Sequence, residues 1–267
     1  MFDPYLDRWS LTPDGDPIVT HSSHLLPVLW REKPAMLKVA VDIDEKFGSQ
    51  VLRWWDGKGA AHVYEHDDNA ALLERATGTG SLLTMVMEGE DDEATRIICR
   101  AAAKLHAPRK TPPPGDLIPL ERWFRPLEPA ARIHGGVLAA CAEVARGLLV
   151  DQRDRTVLHG DIHHGNILDF GPRGWLAIDP KRVHGERGYD FANTFCNPQS
   201  SIVTAPGRLQ RQLPIVCTEA TLAPKRMLQW IAAYAGLSAS WCLEDGDTAG
   251  TASVLALAAI ALAELNA

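Results

Sequence analysis

Paired cysteines, long apolar runs and an excess of positive charge are all missing from this chain of 267 residues. Its five cysteines are scattered and none forms a Cys-x-x-Cys pair, which argues against a disulfide framework and against a thiolate zinc site. The formal net charge of -7 disfavours nucleic acid as the main partner, because a phosphate backbone would be repelled. The same charge would attract a small cationic ligand.

Signals for export or membrane insertion are also sparse. Residues 1–10 contain no basic segment followed by an apolar stretch, so we expect no signal peptide. The most apolar segment, residues 254–265, is shorter than a membrane-spanning helix requires and suits a buried helix better. We therefore expect a cytoplasmic protein with no membrane partner, and we take a monomer as the simplest assembly.

The hydrophobic pattern changes once along the chain, near a glycine-containing stretch at residues 76–80. Before it, short apolar runs alternate with turn signals, which is typical of antiparallel strands, and one helix is predicted over residues 44–55. After it, apolar residues recur with helical spacing. We predict an α+β fold with a β-rich N-terminal lobe (1–75), a hinge (76–80) and a larger helical lobe (81–267), with the ligand cleft between the lobes.

The segment VLHGDIHHGNILDFGPRGWLAIDP, residues 157–180, concentrates the polar residues that suggest chemistry. Two short apolar strands flank a Gly-Pro-Arg-Gly turn, which predicts a β-hairpin that returns Asp179 to the neighbourhood of Asn166. Their carboxylate and amide oxygens are ligands that Mg²⁺ prefers. Asp161 lies in the same loop and is a candidate base for an acceptor hydroxyl. This trio predicts phosphoryl transfer.

The motif HGD at 159–161 with Asn166, followed by IDP at 178–180, resembles the signature of the aminoglycoside phosphotransferase family. Further segments, among them AMLKVA, LRWWDGKGAA, LERATGTG and GERGYDFAN, resemble its streptomycin 6-phosphotransferase branch. The resemblance implies a protein-kinase-like bilobal fold, ATP as phosphate donor, and Mg²⁺. It also implies transfer to an aminoglycoside hydroxyl, with the 6-hydroxyl of streptomycin as the first candidate, and resistance to the antibiotic as the result.

The resemblance assigns roles to residues outside the loop. Lys38 matches the lysine that contacts the α- and β-phosphates, and Glu45 on the following helix is its expected ion-pair partner. Glu74 and Ala76 match the hinge whose backbone would hold adenine. Asp190 resembles a structural aspartate that steadies the catalytic loop without taking part in the reaction.

The phosphate-covering loop departs from the protein-kinase pattern, because no Gly-x-Gly-x-x-Gly precedes Lys38. Residues 20–23 stand in its place, and the backbone amides and hydroxyls of Ser22 and Ser23 are the expected phosphate donors. Within the HGD motif, we expect His159 to anchor the loop.

Acidic residues of the helical lobe are candidates for binding the acceptor. Streptomycin carries two guanidinium groups, and carboxylates in bidentate geometry hold such groups best. The candidates are Glu186, shortly after the IDP motif, and Glu244, Asp245 and Asp247 in a polar turn. A plain solvated turn is the simpler interpretation of the last three.

Three alternatives remain open from the sequence. A kinase of hydroxyurea or of a different aminoglycoside would use the same residues. A metal-dependent hydrolase would use the three histidines around Asp161 (His159, His163 and His164), although the sequence there contains no His-x-His pair. A catalytically inactive nucleotide-binding protein would be expected to lose one of the trio, yet all three residues are present.

Overall fold

The computed structural model describes residues 1–20, 22–41 and 43–266, without the side chains of residues 43–47. In these ranges the part of the chain before the hinge forms six strands and two helices. They are α1 (Asp3–Trp9), β1 (Leu11–Pro13), β2 (Ile18–Val19), β3 (Ser23–Trp30), β4 (Lys33–Ala40), α2 (Ile43–Trp55), β5 (Val63–His66) and β6 (Ala70–Glu74).

The six strands form one antiparallel sheet in the order β1-β3-β4-β6-β5, and β2 pairs with β3. β4 is central, so Lys38 lies opposite Leu25 of β3 and Ala71 of β6. Because β4 is central, Lys38 does not lie on an edge strand, where surface lysines are common. The predicted β-rich region with one inserted helix is thus present, and that helix is α2.

The helix α1 is absent from the sequence-based expectation, which predicts only one helix before the hinge, over residues 44–55. It begins at Asp3 with proline in its first turn, where proline is well tolerated because the amide has no helical partner. Phe2, Tyr5, Leu6 and Trp9 pack against the apolar cluster of the sheet. Tertiary packing therefore stabilises a helix that is too short to form alone.

The turn between β3 and β4 lies two residues before Lys33-Pro34, the dipeptide that the sequence pattern indicates as the turn. Arg31 and Glu32 occupy it, with φ angles of 50° and 65°. Positive φ at both central residues matches the right-handed twist of the two flanking strands. The usual Asn-Gly signal for this turn is missing, which explains why the pattern misplaces it.

Within the described residues, the part of the chain after the hinge is mainly helical and also contains five short strands. The helices are α3 (Leu82–Met87), α4 (Asp91–His106), α5 (Leu120–Trp123), α6 (Leu127–His134), α7 (Gly136–Val150), α8 (Gly188–Phe195), α9 (Ser200–Val203), α10 (Arg208–Ala220), α11 (Pro224–Glu244) and α12 (Thr248–Leu265). The strands are β7 (Ile118–Pro119), β8 (Arg155–Leu158), β9 (Ile167–Asp169), β10 (Trp175–Ala177) and β11 (Val183–Glu186).

The predicted hairpin is confirmed, since β9 and β10 pair antiparallel with Ile167 opposite Ala177. The backbone of Ala177 also exchanges hydrogen bonds with the segment that follows α2, at 2.9 Å to both Gly59 and Ala61. A three-stranded sheet of order β7-β11-β8 contains the two strands, β8 and β11, that flank residues 159–182. The hairpin is therefore attached to both lobes.

The helix α12 is longer than the apolar segment noted in the sequence, because it spans 18 residues with a mean hydropathy of 1.7. By length and composition alone it could cross a membrane. Ser253, Val254, Leu257, Ala258 and Ala261 are nevertheless buried. The helix α12 packs against α11 in the C-terminal lobe through this buried face.

The proposed lobe boundaries follow the elements. β6 ends at Glu74 and α3 begins at Leu82, so we retain 1–75, 76–80 and 81–267 as the proposed N-terminal lobe, hinge and C-terminal lobe. Residues 75–81 between these elements form no helix or strand, and they include Gly78 and Gly80.

Candidate active site

A cavity of about 380 Å³ lies between the sheet and the β9–β10 hairpin. We call it the inter-lobe cavity. Its apolar walls include Leu25, Met36, Leu73, Leu168 and Phe170. It also brings together seven of the predicted site residues: Ser22, Ser23, Lys38, Glu74, Ala76, Asn166 and Asp179. An apolar slot that ends in a lysine, an amide and a carboxylate suits a planar base with a phosphate tail.

Lys38 and Asp179 are paired in the lining of this cavity. The Lys38 Nζ forms an ion pair with Asp179 Oδ1, and Lys181 Nζ lies 3.6 Å from Asp179 Oδ2. The Lys38–Asp179 pair is separated by 141 positions in sequence. The expected partner, the side chain of Glu45, lies outside the described residues.

Asn166 connects the predicted metal ligands to the catalytic loop. Its Nδ2 donates to the backbone oxygen of Asp161 at 2.8 Å, which leaves the amide oxygen as the atom that a cation would use. The Ile178 amide donates to the Asn166 carbonyl at 2.9 Å, and this contact brings Asp179 beside Asn166. Two hard oxygen donors in one cavity fit Mg²⁺.

Asp161 does not line the inter-lobe cavity but lines two cavities formed by residues of the helical lobe, and its side chain is 35% exposed. Its Oδ2 lies 3.3 Å from Asn166 Nδ2, and its Oδ1 accepts a hydrogen bond from Asn193 Nδ2 at 3.1 Å. Since the carboxylate is held from two sides and stays accessible, it can receive a proton from a bound hydroxyl.

Asp190 lies beneath the loop and is fully buried. It accepts hydrogen bonds from the amides of His159 (2.9 Å) and Gly160 (2.8 Å), and it contacts His106 Nε2 at 2.8 Å. Burial alone would raise the pKa of Asp190, but the hydrogen bonds from His106 and Gly160 help to lower it. These contacts support the role of a structural aspartate that the resemblance implies for Asp190.

His159 is buried as well and bridges the loop to the hairpin. Its Nε2 donates to the Ile178 carbonyl at 2.8 Å, and its Nδ1 accepts from the Asp161 amide at 3.2 Å. Burial lowers the pKa of His159, so the neutral ring with its proton on Nε2 satisfies both contacts. Gly160 follows with φ 83°, and a Cβ there would lie 2.9 Å from Val183.

Gly78 and Gly80 in the proposed hinge lie against Asp169 of the hairpin, which explains why these positions are glycine. The Gly78 amide donates to the Asp169 carbonyl and the Gly80 amide to Asp169 Oδ2, both at 3.0 Å. A Cβ on Gly78 would lie 2.0 Å from Asp169 Cγ. Glycine therefore allows the linker to lie against the hairpin.

Two further cavities meet at Asp161. The polar cavity is lined by Asp161, His163, Asn193, Asn197, Ser200, Ser238 and Cys242, among others. The aromatic cavity is lined by Asp161, Trp123, Tyr234 and Trp241 together with Arg122, Arg125 and Lys181. Among the described residues that line the polar cavity, Asp161 is the only carboxylate, whereas the aromatic cavity carries three basic side chains.

None of the three residues of the predicted acidic turn lines the polar cavity, although the turn lies between two residues that do. Glu244, Asp245 and Asp247 are exposed, and Cys242 and Gly250 on either side of the turn line the cavity. Asp247 also caps α12, because its Oδ1 accepts a hydrogen bond from the Gly250 amide at 2.9 Å. Glu244 and Asp245 are therefore the members of the turn best suited to meet a ligand.

Glu186 requires a correction, because the structure places it in the interior and away from both cavities. It is 2% exposed, and its carboxylate accepts hydrogen bonds from Arg226 Nε, Trp230 Nε1 and the Arg153 amide at 2.9, 2.7 and 2.8 Å. No carboxylate face remains for an acceptor, so we withdraw Glu186 from the substrate site.

The metal-dependent hydrolase finds no support in the described part of the chain, where no group of three His, Cys, Asp or Glu residues is suited to hold a metal. His163 lines the polar cavity. His164 is 2% exposed and does not line that cavity. Burial, with a smaller effect of Arg208, lowers the pKa of His164 to about 4.

A sequence model of the aminoglycoside/hydroxyurea antibiotic resistance kinases matches residues 8–246. The chain belongs to this family. It is 50% identical to a streptomycin 3''-kinase of Klebsiella pneumoniae, over 97% of this chain and 98% of the relative. It is 29% identical to a streptomycin 6-kinase of Streptomyces glaucescens, over 97% of this chain and 87% of the relative.

The fold of this family member also resembles solved kinases. The crystal structure of a thermostable mutant of the aminoglycoside phosphotransferase APH(4)-Ia, in ternary complex with ADP and hygromycin B, matches with a TM-score of 0.66. The match covers 98% of this chain and 97% of that chain at 12% identity. The expected family, kinase-like fold and phosphotransferase class with ATP as donor are confirmed. The 6-phosphotransferase branch is not, because the identity to the 3''-kinase is far higher.

Asn193, Asn197 and His106 belong to this site but were missed as site residues in the sequence. The segments that contain Asn193 and His106, GERGYDFAN and KLHAPR, carry the family resemblance. The spacing of an asparagine on a helix nevertheless gives no indication that it contacts a loop 32 positions away. Only the packing of α8 beneath the loop reveals that contact.

Proposed function

We propose that this kinase transfers the γ-phosphate of ATP to a hydroxyl of streptomycin, and that the 3''-hydroxyl is the acceptor. The observation that carries the proposal is the 50% identity, over nearly the full length of both chains, to a streptomycin 3''-kinase. The 6-hydroxyl, which the sequence segments favoured, has the weaker support of 29% identity.

The inter-lobe cavity suits the nucleotide. Its apolar walls would hold the adenine beside the backbone of Glu74 and Ala76, with Lys38 near the α- and β-phosphates. Ser22 and Ser23 lie in the same lining and would donate to phosphate oxygens. Mg²⁺, held by Asn166 and Asp179, would neutralise phosphate charge when bound.

Asp161 would act as the base. Its carboxylate lies at the junction of the polar and aromatic cavities, so an acceptor in either cavity presents a hydroxyl to it. A carboxylate that accepts a hydrogen bond from the hydroxyl orients the attacking oxygen and takes its proton as the bond to phosphorus forms.

The charges favour the polar cavity for the guanidinium-bearing part of the antibiotic. Arg122, Arg125 and Lys181 would repel a cation in the aromatic cavity. The polar cavity offers hydroxyl and amide groups, and Glu244 and Asp245 lie in the turn between Cys242 and Gly250, two residues that line it. We propose these two side chains as acceptor contacts.

A product analysis tests the proposal. The purified protein is incubated with Mg²⁺ and ATP over a panel that contains streptomycin, other aminoglycosides and hydroxyurea, and the phosphorylated position is assigned by NMR. We expect streptomycin phosphorylated at the 3''-hydroxyl. A 6-phosphate would overturn the proposed position, and absence of any streptomycin phosphate would overturn the proposed substrate.

The catalytic assignment is tested with Asp161→Asn, beside Asp7→Asn as a matched control at an exposed position. We expect turnover to fall at least about a hundredfold in the first variant and to stay unchanged in the second. Because the amide preserves the shape of the side chain, nucleotide affinity and thermal stability should be retained. Near wild-type turnover of Asp161→Asn would contradict the role of this residue.

A further inference from the structure

Asn193 projects from α8 to the carboxylate of Asp161, a contact that the catalytic motifs do not include. Its Nδ2 lies 3.1 Å from Asp161 Oδ1, while Asn166 Nδ2 lies 3.3 Å from Oδ2. Each carboxylate oxygen therefore has one amide donor. A carboxylate held at both oxygens has little freedom to rotate about its terminal bond.

Asn197 settles which way the Asn193 amide points. The Nδ2 of Asn197 lies 2.9 Å from Asn193 Oδ1 and 3.0 Å from the Asn193 backbone oxygen. An amide nitrogen only donates, so the oxygen of the Asn193 side chain must face Asn197 and its nitrogen must face Asp161. The opposite orientation would place the Asn193 oxygen against the carboxylate.

The helix that carries Asn193 is a rigid support. Every residue of α8 is buried, and Asn193 itself is 3% exposed. Asp190, one turn earlier on the same helix, accepts the amides of His159 and Gly160. One helix therefore holds the backbone of the catalytic loop through Asp190 and the carboxylate of Asp161 through Asn193.

We propose that Asn193 is a positioning residue for Asp161 and that Asn197 orients Asn193. By donating to Oδ1, Asn193 holds the carboxylate in the rotamer that faces an acceptor hydroxyl in the polar cavity, which all three residues line. The inference rests on the proposed role of Asp161 as the base.

Kinetics of Asn193→Asp and Asn193→Ala test the inference, with streptomycin as acceptor. Asn193→Asp keeps the shape and the acceptor for Asn197 but replaces the donor to Asp161 by a second carboxylate, which repels it. Asn193→Ala removes the donor without adding a charge. We expect kcat to fall by about tenfold or more in both variants, with the KM values of ATP and streptomycin within about twofold. Asn266→Ala, at an exposed position, is the matched control and should leave kcat unchanged.

Double variants distinguish positioning from a general structural effect. In the Asp161→Asn background, removal of Asn193 should cause no further loss of kcat, because its effect acts through the carboxylate. Asn197→Ala should lower kcat about threefold alone and should add nothing to Asn193→Ala. Thermal unfolding verifies that each variant is folded. If Asn193→Ala does not fold, the isosteric variant Asn193→Asp and the variant Asn197→Ala still test the positioning role.

The outcomes separate this inference from the proposed function. If Asp161→Asn loses turnover about a hundredfold but folded Asn193→Asp retains kcat within twofold, the positioning role fails and the base assignment stands. The positioning role also fails if Asn193→Ala lowers kcat by the same factor with and without the Asp161 carboxylate. If Asp161→Asn keeps full turnover, the base assignment fails and this inference fails with it.

Discussion

Replacing Glu186 by glutamine distinguishes the structural position of this carboxylate from the substrate contact expected from the sequence. The side chain is 2% exposed and has four hydrogen-bond donors: Arg226 Nε at 2.9 Å, Arg226 Nη2 at 2.5 Å, Trp230 Nε1 at 2.7 Å and the Arg153 amide at 2.8 Å. Glutamine offers one acceptor oxygen and directs an NH₂ group at the remaining donors. The guanidinium of Arg226 would then lie largely buried without its carboxylate.

Breaking a buried ion pair by removing one partner costs about 3–5 kcal/mol. Arg226 retains contacts with Asp151, at 3.7 Å from its carboxylate, so we expect the lower end, about 3 kcal/mol. For a chain of this size that loss corresponds to a decrease in Tm of roughly 6–12 °C. The KM for the acceptor should stay within about twofold.

The assay combines thermal unfolding with steady-state kinetics for Glu186→Gln and for Glu244→Gln. Glu244 is exposed, so its replacement should leave Tm unchanged and report only on the acceptor. An unchanged Tm together with a tenfold higher acceptor KM in Glu186→Gln would refute the interior placement of this carboxylate.

The pH dependence of stability provides a second readout. Burial would raise the pKa of Glu186, but the hydrogen bonds from Arg226 and Trp230 lower it overall. A lowered pKa in the folded state means that this stabilisation is present above the ordinary pKa of glutamate and is lost as the pH falls through the lowered value. The difference in stability between wild type and Glu186→Gln should therefore shrink on acidification below about pH 4.

Three further changes probe the site. Asp179→Asn should abolish turnover and weaken Mg²⁺–ATP binding at least about tenfold by calorimetry. Inhibition of the wild-type protein by a zinc-selective chelator at saturating Mg²⁺ would instead favour a hydrolase. Gly78→Ala should destabilise the protein by about 1–3 kcal/mol, because its Cβ would lie 2.0 Å from Asp169 Cγ. Adding Asp169→Ala should relieve part of that loss. An unchanged denaturation midpoint of Gly78→Ala would contradict the close contact. Glu244→Gln with Asp245→Asn should raise the acceptor KM severalfold at constant KM for ATP, and an unchanged acceptor KM would place the guanidinium contacts elsewhere.

The local part of the site could be predicted from the sequence because its geometry is encoded within one short segment. A hairpin between Ile167 and Ala177 returns the chain on itself, so Asn166 and Asp179 are brought together by strand pairing alone. The change from strand-like to helical spacing near residue 80 likewise depends on neighbours within a few positions. These local patterns predict the two-part α+β organisation and the phosphoryl-transfer trio, whereas the family, the kinase-like fold and ATP were implied by the motif resemblance.

The contacts that orient the site join residues far apart in sequence, and only the tertiary structure decided them. Glu186 pairs with Arg226 across 40 positions. Its position shortly after the IDP motif suggests a substrate contact, which its burial excludes. Asn193 reaches Asp161 across 32 positions. Hydrophobic periodicity determines which face of a helix is buried, but the partner of a buried polar group depends on how separate elements pack, and periodicity carries no information about that.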